Sequence, residues 1–551
     1  LNLDETTVLI GGNNTGKSTI LDAVQFCLSR ALHKKGGPFG EYDYHLKDIS
    51  GQPTDADPIE ITLTFTENKE NEWSDEILQL LGNAVQIQTD DLHSVILRIS
   101  SNYDETSRTF ATTTTFLNPN GEALSVKTFE ALRNLQSVAP VFYLGALRDA
   151  AREFRPGSAF WGPFVRAFKI DPTLRQEIET SLGALNKQVL DAHTAFDTVR
   201  ERLGKTSDMV PLGGGTTPVS IEAIPGKVFD ILSKTQVMLS GRTGAHLPLS
   251  RHGEGTQSLS VICLFDAFLE AQLAGEFGPS SKPILALEEP EAHLHPSAIK
   301  GIANMLQKLS GQKIISTHSG DLIASVPLKA IRRLSRVDGV IKVHQLNSTE
   351  LSSDDLRRLT HHVSRHRGHF LFARLWLLVE GETEELVFQE AARILGHDLV
   401  SEGVCCFEYT KVGVARFIKL ADQLGIDWVV VADNDAAGKK YVNSAKQELG
   451  ARQEDNHIQQ LPDENIELFL CKQGQGNIYE ENISEQKKSS ITAGKETPDY
   501  WKQVIAALND KGKPQIASEV MEAIENAGAT SVPDFIKKTI EMCIRRAKEA
   551  E

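Results

Sequence analysis

The chain has 551 residues, a formal net charge of −16 at pH 7, 40% apolar residues and 24% charged residues. This length is too great for one domain, and the composition is that of a soluble globular protein. No stretch approaches the ~20 consecutive apolar residues that a membrane span needs, and the six cysteines lack the C-x-x-C spacing of a zinc ribbon or a disulfide scaffold. We therefore expect a cytoplasmic multidomain protein with no membrane partner.

A glycine-rich loop lies close to the start of the chain. Residues 11–18 read Gly-Gly-Asn-Asn-Thr-Gly-Lys-Ser and fit G-x-x-x-x-G-K-[ST], between a predicted strand at residues 7–10 and a predicted helix at residues 19–24. In such a loop the backbone N–H groups surround phosphates, the lysine contacts the β and γ oxygens, and the hydroxyl ligates Mg²⁺. The pattern therefore predicts a nucleotide site made of Gly11, Asn13, Asn14, Thr15, Gly16, Lys17, Ser18 and Thr19.

The middle of the chain reads as helical. Residues 160–245 contain long stretches such as 174–203, whose apolar residues recur at spacings of three and four. The block is a candidate dimerisation arm, and a purely structural helical layer explains the pattern equally well.

Two further segments place polar side chains after apolar strands. Residues 283–296 begin with an apolar run that ends in Glu288 and Glu289. We expect Glu288 to hold Mg²⁺ and Glu289 to polarise the attacking water. The run Ile314-Ile315-Ser316 is followed by His318, which could sense a γ-phosphate, although a lone histidine is more often structural.

Together these motifs resemble an ABC-type ATPase head of the SMC-like kind. Residues 250–257, Ser-Arg-His-Gly-Glu-Gly-Thr-Gln, resemble its signature segment. The resemblance assigns Ser250, Gly253 and Gly255 to the γ-phosphate bound by a second head, which implies a dimer that closes on ATP. An ordinary turn is the alternative. The sequence departs from the family pattern at Glu288, where Asp is more usual.

A second group of acids follows two apolar runs nearer the end of the chain. Residues 375–384 read Leu-Trp-Leu-Leu-Val-Glu-Gly-Glu-Thr-Glu, and residues 428–438 read Trp-Val-Val-Val-Ala-Asp-Asn-Asp-Ala-Ala-Gly. Buried parallel strands deliver such acids to the carboxyl edge of an α/β sheet. Their charges would repel one another unless hard cations such as Mg²⁺ or Mn²⁺ lay between them. The pattern predicts metal-dependent phosphodiester cleavage by Glu380, Glu384, Asp433 and Asp435.

This second pattern resembles a Toprim domain, with Glu380 as its glutamate and Asp433-Asn434-Asp435 as its Asp-x-Asp. An ABC head followed by Toprim resembles the OLD (overcoming lysogenization defect) family of ATP-regulated nucleases, which includes the nuclease subunit of the Gabija antiphage system. The phrases at residues 143–149, 288–296 and 378–384 strengthen the likeness.

The resemblance implies an α/β fold: an SMC-like ABC head with a helical dimerisation insert, followed by a Rossmann-like Toprim domain. The expected divisions are an N-terminal head part at 1–159, the insert at 160–245, a C-terminal head part at 246–350 and the Toprim nuclease domain at 351–551.

The OLD resemblance also suggests two more site residues. Glu467 lies in an Ile-Glu-x-x-Leu context and would be a metal ligand, whereas spacing alone indicates an exposed helical acid. Lys513 would lie near the scissile phosphate, although a surface lysine is the more frequent case. The implied cofactors are ATP and Mg²⁺ or Mn²⁺. The implied partners are DNA, further copies of the chain in a homodimer or higher homo-oligomer, and a helicase-like or other defence-system protein.

Two polar segments lie in the second half of the chain. The stretch from Leu356 to Phe370 is rich in Arg and His and contains no acid, so it either flanks the cleavage site or is a solvated linker. Residues 472–500 are polar and lysine-rich and predict a mobile loop.

The function expected from the sequence is an ATP-regulated, divalent-metal-dependent DNA endonuclease that nicks or cleaves, in antiphage defence or DNA processing. The alternatives are an ABC-type DNA-binding or repair ATPase with a silent Toprim domain, and a topoisomerase- or primase-like Toprim enzyme. The expected catalytic residues are Glu289, Glu380, Glu384, Asp433, Asp435 and Lys513, and the expected metal ligands are Ser18, Glu288, Glu380, Glu384, Asp433, Asp435 and Glu467.

Overall fold

The computed structural model describes most of the chain. The residues outside the described ranges are 30–38, 47–49, 105, 107–108, 147–149, 156, 168–169, 193, 205–220, 233–236, 241–245, 338, 348–349, 496, 509–511 and 551. Part of the phrase at 143–149 and part of the expected helical insert therefore lie outside the described residues.

The strands of the described ranges form four sheets. They are β1 (Thr6–Gly11), β2 (Ile59–Thr66), β3 (Gln86–Ile87), β4 (His93–Asp104), β5 (Thr109–Leu117), β6 (Val141–Leu144), β7 (Met238–Ser240), β8 (His246–Pro248), β9 (Ile284–Glu288), β10 (Gln312–Ser316), β11 (Ile331–Val337), β12 (Val340–Gln345), β13 (Leu375–Val379), β14 (Val404–Glu408), β15 (Asp427–Ala432) and β16 (Ile458–Gln460).

The helices lie between these strands and after the last of them. They are α1 (Lys17–Leu28), α2 (Asp75–Leu81), α3 (Thr128–Val138), α4 (Ala150–Glu153), α5 (Trp161–Ala167), α6 (Pro172–Asp191), α7 (Ala195–Gly204), α8 (Val228–Leu232), α9 (Glu254–Ala271), α10 (Leu273–Phe277), α11 (Pro296–Lys308), α12 (Gly320–Ile323), α13 (Ser353–Arg365), α14 (Glu382–Ile394), α15 (Val414–Leu424), α16 (Ala436–Gln447), α17 (Glu454–His457), α18 (Ile466–Leu470), α19 (Gly476–Glu481), α20 (Glu485–Lys488), α21 (Pro498–Ala507), α22 (Lys513–Ala527) and α23 (Asp534–Glu549). Within the described ranges, none of them is long and apolar enough to cross a membrane.

The head is built on a sheet of order β12-β11-β1-β10-β9-β6, parallel except for the β11–β12 hairpin. Strands β1, β9 and β10 are buried on both faces, which explains the apolar runs at residues 8–10, 284–287 and 314–315. Helices α9 and α11 cover one face. On the other face lie α1, α3 and an antiparallel sheet of β2, β3, β4 and β5.

The Toprim unit is a four-stranded sheet of order β14-β13-β15-β16, and every pairing is parallel. Its central strand alternates strictly between two cores. Trp376 and Leu378 pack toward the head, while Leu375, Leu377 and Val379 pack toward α14, α22 and α23. Because β13 is fully buried on both sides, its end is fixed in position.

The head and the Toprim sheet share one apolar core. Leu359 and Val363 of α13 lie in the same buried cluster as Leu287 of β9 and Trp376 of β13. The segment before β13 is therefore a packed helix rather than a free linker. The two sheets form adjoining layers of one molecule.

Two local expectations differ from the structure. Residues 472–500 do not form a mobile loop: they contain α19 and α20, because Tyr479 and Ile483 are buried against the Toprim core. The region 174–203 is helical as expected and contains α6 and α7. The expected insert also includes strand β7.

Candidate nucleotide site and acidic sheet edge

The glycine-rich loop lies between β1 and α1. Gly11, Asn14 and Gly16 have φ values of 152°, 61° and 81°, so the loop uses left-handed backbone that favours Gly and Asn. The Lys17 side chain is buried, and its Nζ donates to the carbonyl oxygens of Gly11 at 3.0 Å and Gly12 at 2.7 Å. Burial lowers the pKa of Lys17, and the charge of Glu289 opposes that shift. A bound phosphate would replace carbonyl partners with a stronger anionic one.

The acids after β9 lie against this loop. The Ser18 hydroxyl donates to Glu288 Oε1, and the Tyr143 hydroxyl of β6 donates to Glu288 Oε2 at 2.8 Å. Ser18 and Glu288, the residues expected to bind Mg²⁺ beside a nucleotide, are thus in direct contact. Tyr143 was not assigned a site role from the sequence, although its position near the end of a strand is a usable signal.

Glu289 and His318 face each other across the carboxyl ends of β9 and β10. The Glu289 Oε1 atom lies 3.9 Å from His318 Nε2, and Glu289 has a φ of 42°, which is unusual for a non-glycine residue. Burial and the positive charge of Lys17 lower the pKa of His318. The structure therefore places both side chains beside Lys17, where the sequence analysis expected a water-activating acid and a phosphate sensor.

The signature-like segment forms the start of α9. Gly253 is the N-cap of that helix, and a Cβ atom there would meet nothing within 4 Å. A Cβ atom at Gly255 would lie 2.6 Å from the carbonyl oxygen of His293. Gly253 thus leaves a surface open, whereas Gly255 is needed for internal packing.

The second site lies at the carboxyl edge of the Toprim sheet. Glu380 follows β13 and Asp433 follows β15, and the backbone N–H of Asp433 donates to Glu380 Oε2 at 3.1 Å. Asp435 caps α16 by accepting from the N–H of Gly438 at 2.7 Å. Glu384 lies in the first turn of α14, and Glu467 lies in α18.

The carboxylates at this edge are buried close enough for their charges to interact. Glu384 is 6% exposed and Glu467 is 4% exposed. Burial, followed by the charges of Glu467 and Glu380, raises the pKa of Glu384 to about 7. Burial, followed by the charges of Glu384, Glu380, Glu467 and Asp435, raises the pKa of Asp433 to about 9. The buried Asp433 Oδ1 atom has no hydrogen-bond partner.

The donor set fits a hard divalent cation. It consists of carboxylate oxygens, the preferred ligands of Mg²⁺ and Mn²⁺, and it includes the unpartnered Asp433 oxygen. In the part of the chain that the structure describes, however, no three His, Cys, Asp or Glu side chains are already arranged to hold an ion.

Lys513 and two tyrosines border the same edge. Lys513 opens α22, and its Nζ lies 3.6 Å from Glu467 Oε1. Glu467 is thus not the exposed helical acid that spacing alone indicates. Two tyrosines are buried beside the carboxylates: Tyr409, directly after β14, and Tyr479. Burial, followed by the negative charges of the carboxylates, raises the pKa values of both tyrosines. Tyr409 was missed, and its place at a strand end is the signal that could have found it.

Hydrogen bonds and a ring contact join the head to the Toprim unit. The buried guanidinium of Arg333 on β11 donates to the carbonyl oxygens of Leu424 at 3.1 Å, Gly425 at 2.9 Å and Ala373 at 3.0 Å. The ring of His318 stacks on that of Phe372, just ahead of β13, with the centroids 6.4 Å apart. The nucleotide site and the Toprim sheet are thus joined by direct contacts.

Comparisons with known proteins agree with this architecture. Residues 1–191 and 234–369 match the family described as "Protein of unknown function (DUF2813)". Residues 371–435 match "Overcoming lysogenization defect protein-like, TOPRIM domain".

Three relatives extend the likeness. Uncharacterized protein YbjD of Escherichia coli K12 is 28% identical over 98% of this chain and 94% of its own length. Endonuclease GajA of Bacillus cereus is 22% identical over 89% of this chain and 81% of its own. OLD nuclease of Thermus scotoductus is 27% identical over 61% of this chain and 65% of its own. The chain therefore belongs to the DUF2813 family and carries a Toprim domain of the overcoming-lysogenization-defect type.

Proposed function

We propose that this chain is an ATP-regulated, divalent-metal-dependent DNA endonuclease. The observation that carries the proposal is the gathering of Glu380, Glu384, Asp433 and Glu467 at one sheet edge, where burial and the neighbouring carboxylates raise the pKa values of Glu384 and Asp433. A stable fold seldom places several carboxylates together in a buried position without a functional reason. The names of the relatives, endonuclease GajA and OLD nuclease, support the same chemistry.

The chain's own residues divide the work at this edge. Glu380, Glu384, Asp433, Asp435 and Glu467 would hold Mg²⁺ or Mn²⁺, which supplies a water of lowered pKa and neutralises charge on phosphate oxygens. Lys513, beside Glu467, would place a cation near the developing charge of the phosphate.

The head would bind and hydrolyse ATP. Lys17 would contact the phosphates, Ser18 and Glu288 would hold Mg²⁺, and Glu289 would accept a proton from the attacking water. Ser250, Gly253 and Gly255 would complete the site of a second head in a homodimer or larger homo-oligomer. ATP would regulate cleavage because His318, beside the nucleotide loop, stacks on the segment that leads into β13.

The biological role that fits an ATP-gated nuclease is antiphage defence or DNA processing in the cytoplasm, with a helicase-like or other defence protein as partner. Under this proposal the cell's own DNA is spared until the nucleotide state changes.

The decisive experiment is cleavage of supercoiled plasmid in Mn²⁺ or Mg²⁺ across a titration of ATP. We expect nicked and linear products from the wild-type protein and none from Glu384→Gln. The matched control is Glu390→Gln on the same helix, whose side chain is 40% exposed and paired with Arg393 at 2.9 Å. Equal cleavage by wild type and Glu384→Gln would reject the proposed site. Supercoil relaxation without nicking would indicate a topoisomerase instead.

A further inference from the structure

A groove beside the acidic edge is lined by basic side chains. Helix α13 contributes Arg357, Arg358, His361, His362 and Arg365, and the loop after β14 contributes Lys411. We call this feature the basic groove. It is a local exception in a chain of net charge −16. Leu359, Val363 and Phe370 pack into the core, so residues 356–370 are not a free linker.

The charge of the groove is only partly neutralised by the protein. Asp354 is shared by Arg357 and Arg358, each at 2.8 Å, so one carboxylate serves two guanidinium groups. Asp355 is engaged by Arg416 of α15, which anchors α13 to the Toprim unit. Arg365 is exposed and forms no ion pair with any described residue.

The groove also contains a buried polar atom that lacks a partner. His362 is 4% exposed, lines the groove and is packed between the rings of His366 and Phe417. Its Nε2 atom makes no hydrogen bond. Burial lowers the pKa of His362 to about 3, so the ring is neutral at physiological pH and can donate a hydrogen bond without adding charge.

Position links the groove to the acidic edge. Lys411 contacts Glu408, the last residue of β14, and its Nζ lies 3.0 Å from Glu382 Oε1. Strand β14 pairs in parallel with β13, so Glu408 lies opposite Val379, the residue directly before Glu380. The basic groove therefore opens onto the same sheet edge as the carboxylates.

We propose that the basic groove binds the phosphate backbone of duplex DNA and holds it against the acidic edge. This inference rests on the proposed nuclease function and specifies how its substrate is positioned. Arginines and lysines that contact phosphates supply most of the sequence-independent affinity for DNA, and each contact releases a counterion. The groove would therefore set affinity and register, while the carboxylates carry out the chemistry.

The test is the salt dependence of DNA binding by the full chain. Binding of a fluorescein-labelled 30-bp duplex is followed by anisotropy in EDTA, so that cleavage does not interfere. The double variant Arg358→Gln/Arg365→Gln should reduce the slope of log K against log salt by about 1.8 and weaken binding roughly tenfold or more. The single variant Arg365→Lys keeps the positive charge, so its affinity and salt dependence should be close to those of wild type. The control is Arg545→Gln on α23, an exposed arginine outside the groove, which should behave as wild type.

A second readout separates positioning from chemistry. In Mn²⁺ the double variant should need more DNA for half-maximal cleavage yet reach nearly the wild-type rate at saturation, with ATP hydrolysis unchanged as evidence of a correct fold. If the double variant had the DNA affinity and the salt slope of wild type, the proposal that the groove binds DNA would be wrong, and the nuclease proposal would be unaffected. DNA binding without any metal-dependent cleavage would overturn the nuclease proposal alone. If wild type neither binds duplex DNA in EDTA nor cuts it in Mn²⁺, both are rejected; cleavage in Mn²⁺ without binding in EDTA would reject the groove alone.

Discussion

The nucleotide site and the acidic edge are built from similar residues but differ in whether their polar groups bond to one another or repel one another. In the nucleotide site, polar groups bond to one another: Lys17 to loop carbonyls and Ser18 to Glu288. At the acidic edge the carboxylates repel one another, and Asp433 keeps an unpartnered oxygen. A bound nucleotide would have to displace existing hydrogen bonds, whereas a bound cation would reduce the repulsion among carboxylates that already lie together. The first arrangement suits a regulatory ligand that comes and goes, and the second suits a resident cation.

The largest effect should come from breaking the acidic edge alone. Asp433→Asn keeps the shape of the side chain but removes a ligand charge, so DNA cleavage should fall by about 1,000-fold or more. ATP hydrolysis should stay within about twofold of wild type because Lys17, Glu288 and Glu289 are untouched. Paired plasmid-cleavage and phosphate-release assays check this. Loss of both activities in a correctly folded variant would mean that the two sites are not separable.

The second prediction concerns substitutions in the nucleotide site. Lys17→Ala should abolish ATP binding, and Glu289→Gln should bind ATP but hydrolyse it ~100-fold more slowly, because only the group that accepts the proton is lost. Equilibrium binding of a fluorescent ATP analogue and steady-state turnover measure the two effects. Glu276→Gln is a suitable control, since that glutamate has a similar exposure, 39% against 41%, and is paired with Arg166 outside the site. If Glu289→Gln hydrolysed ATP at the wild-type rate, a residue other than Glu289 would be the general base.

A third change tests whether the nucleotide site is shared between two heads. Gly253→Arg adds bulk where there is open space, so it should leave ATP binding nearly intact and lower turnover about tenfold or more by obstructing head closure. Gly255→Arg is the less informative choice, because its Cβ atom would collide with the His293 carbonyl and perturb α9 itself. Turnover at the wild-type rate by Gly253→Arg, at protein concentrations that favour dimers, would argue against a shared site.

The smallest expected effect concerns stability and pH. The pKa values of Asp433, about 9, and Glu384, about 7, lie above their values in an unfolded chain, so the folded state binds more protons. This contribution to the free energy of unfolding is fully present below pH ~4 and is lost as pH rises through about 7 and then 9. In EDTA the Tm should therefore fall by several degrees between pH 5 and pH 9.

Two additions sharpen the pH measurement. Asp433→Asn should flatten the dependence, because an amide does not titrate in this range, and Mn²⁺ should raise the Tm more at pH 9 than at pH 5. A Tm in EDTA that is unchanged or rises over this range would contradict the electrostatic description of the edge.

The sequence was most informative where a strand ends in polar residues. The positions of Glu380, Asp433, Glu288 and His318 were predicted in this way, because a buried parallel strand fixes where the residues at its end lie; their roles stay predictions. Glu467 and Lys513 needed the family resemblance, since burial from long-range packing cannot be read from local spacing. The same limitation explains the error at residues 472–500: Tyr479 and Ile483 are buried by helices that come later in the chain.

The contacts of Arg333 escaped the sequence analysis for a related reason. Strand β11 carries three arginines, and nothing local shows that the guanidinium of Arg333 is the one that bonds to the carbonyl oxygens of Leu424, Gly425 and Ala373 in another unit. Tyr143 and Tyr409, by contrast, lie at or directly after the ends of predicted strands, and a closer reading of those positions could have identified them.

Arg333 and the shared core also bear on the geometry of cutting. Because the guanidinium is buried between the two units, the Toprim sheet cannot swivel freely on its head. If two heads pair around ATP, each acidic edge would move with its own head, and the head dimer would set the distance between the two edges. The separation of the two acidic edges would then set the number of base pairs between the cuts on the two DNA strands. A change at the head interface would alter that stagger, and not the DNA sequence at which the cuts occur.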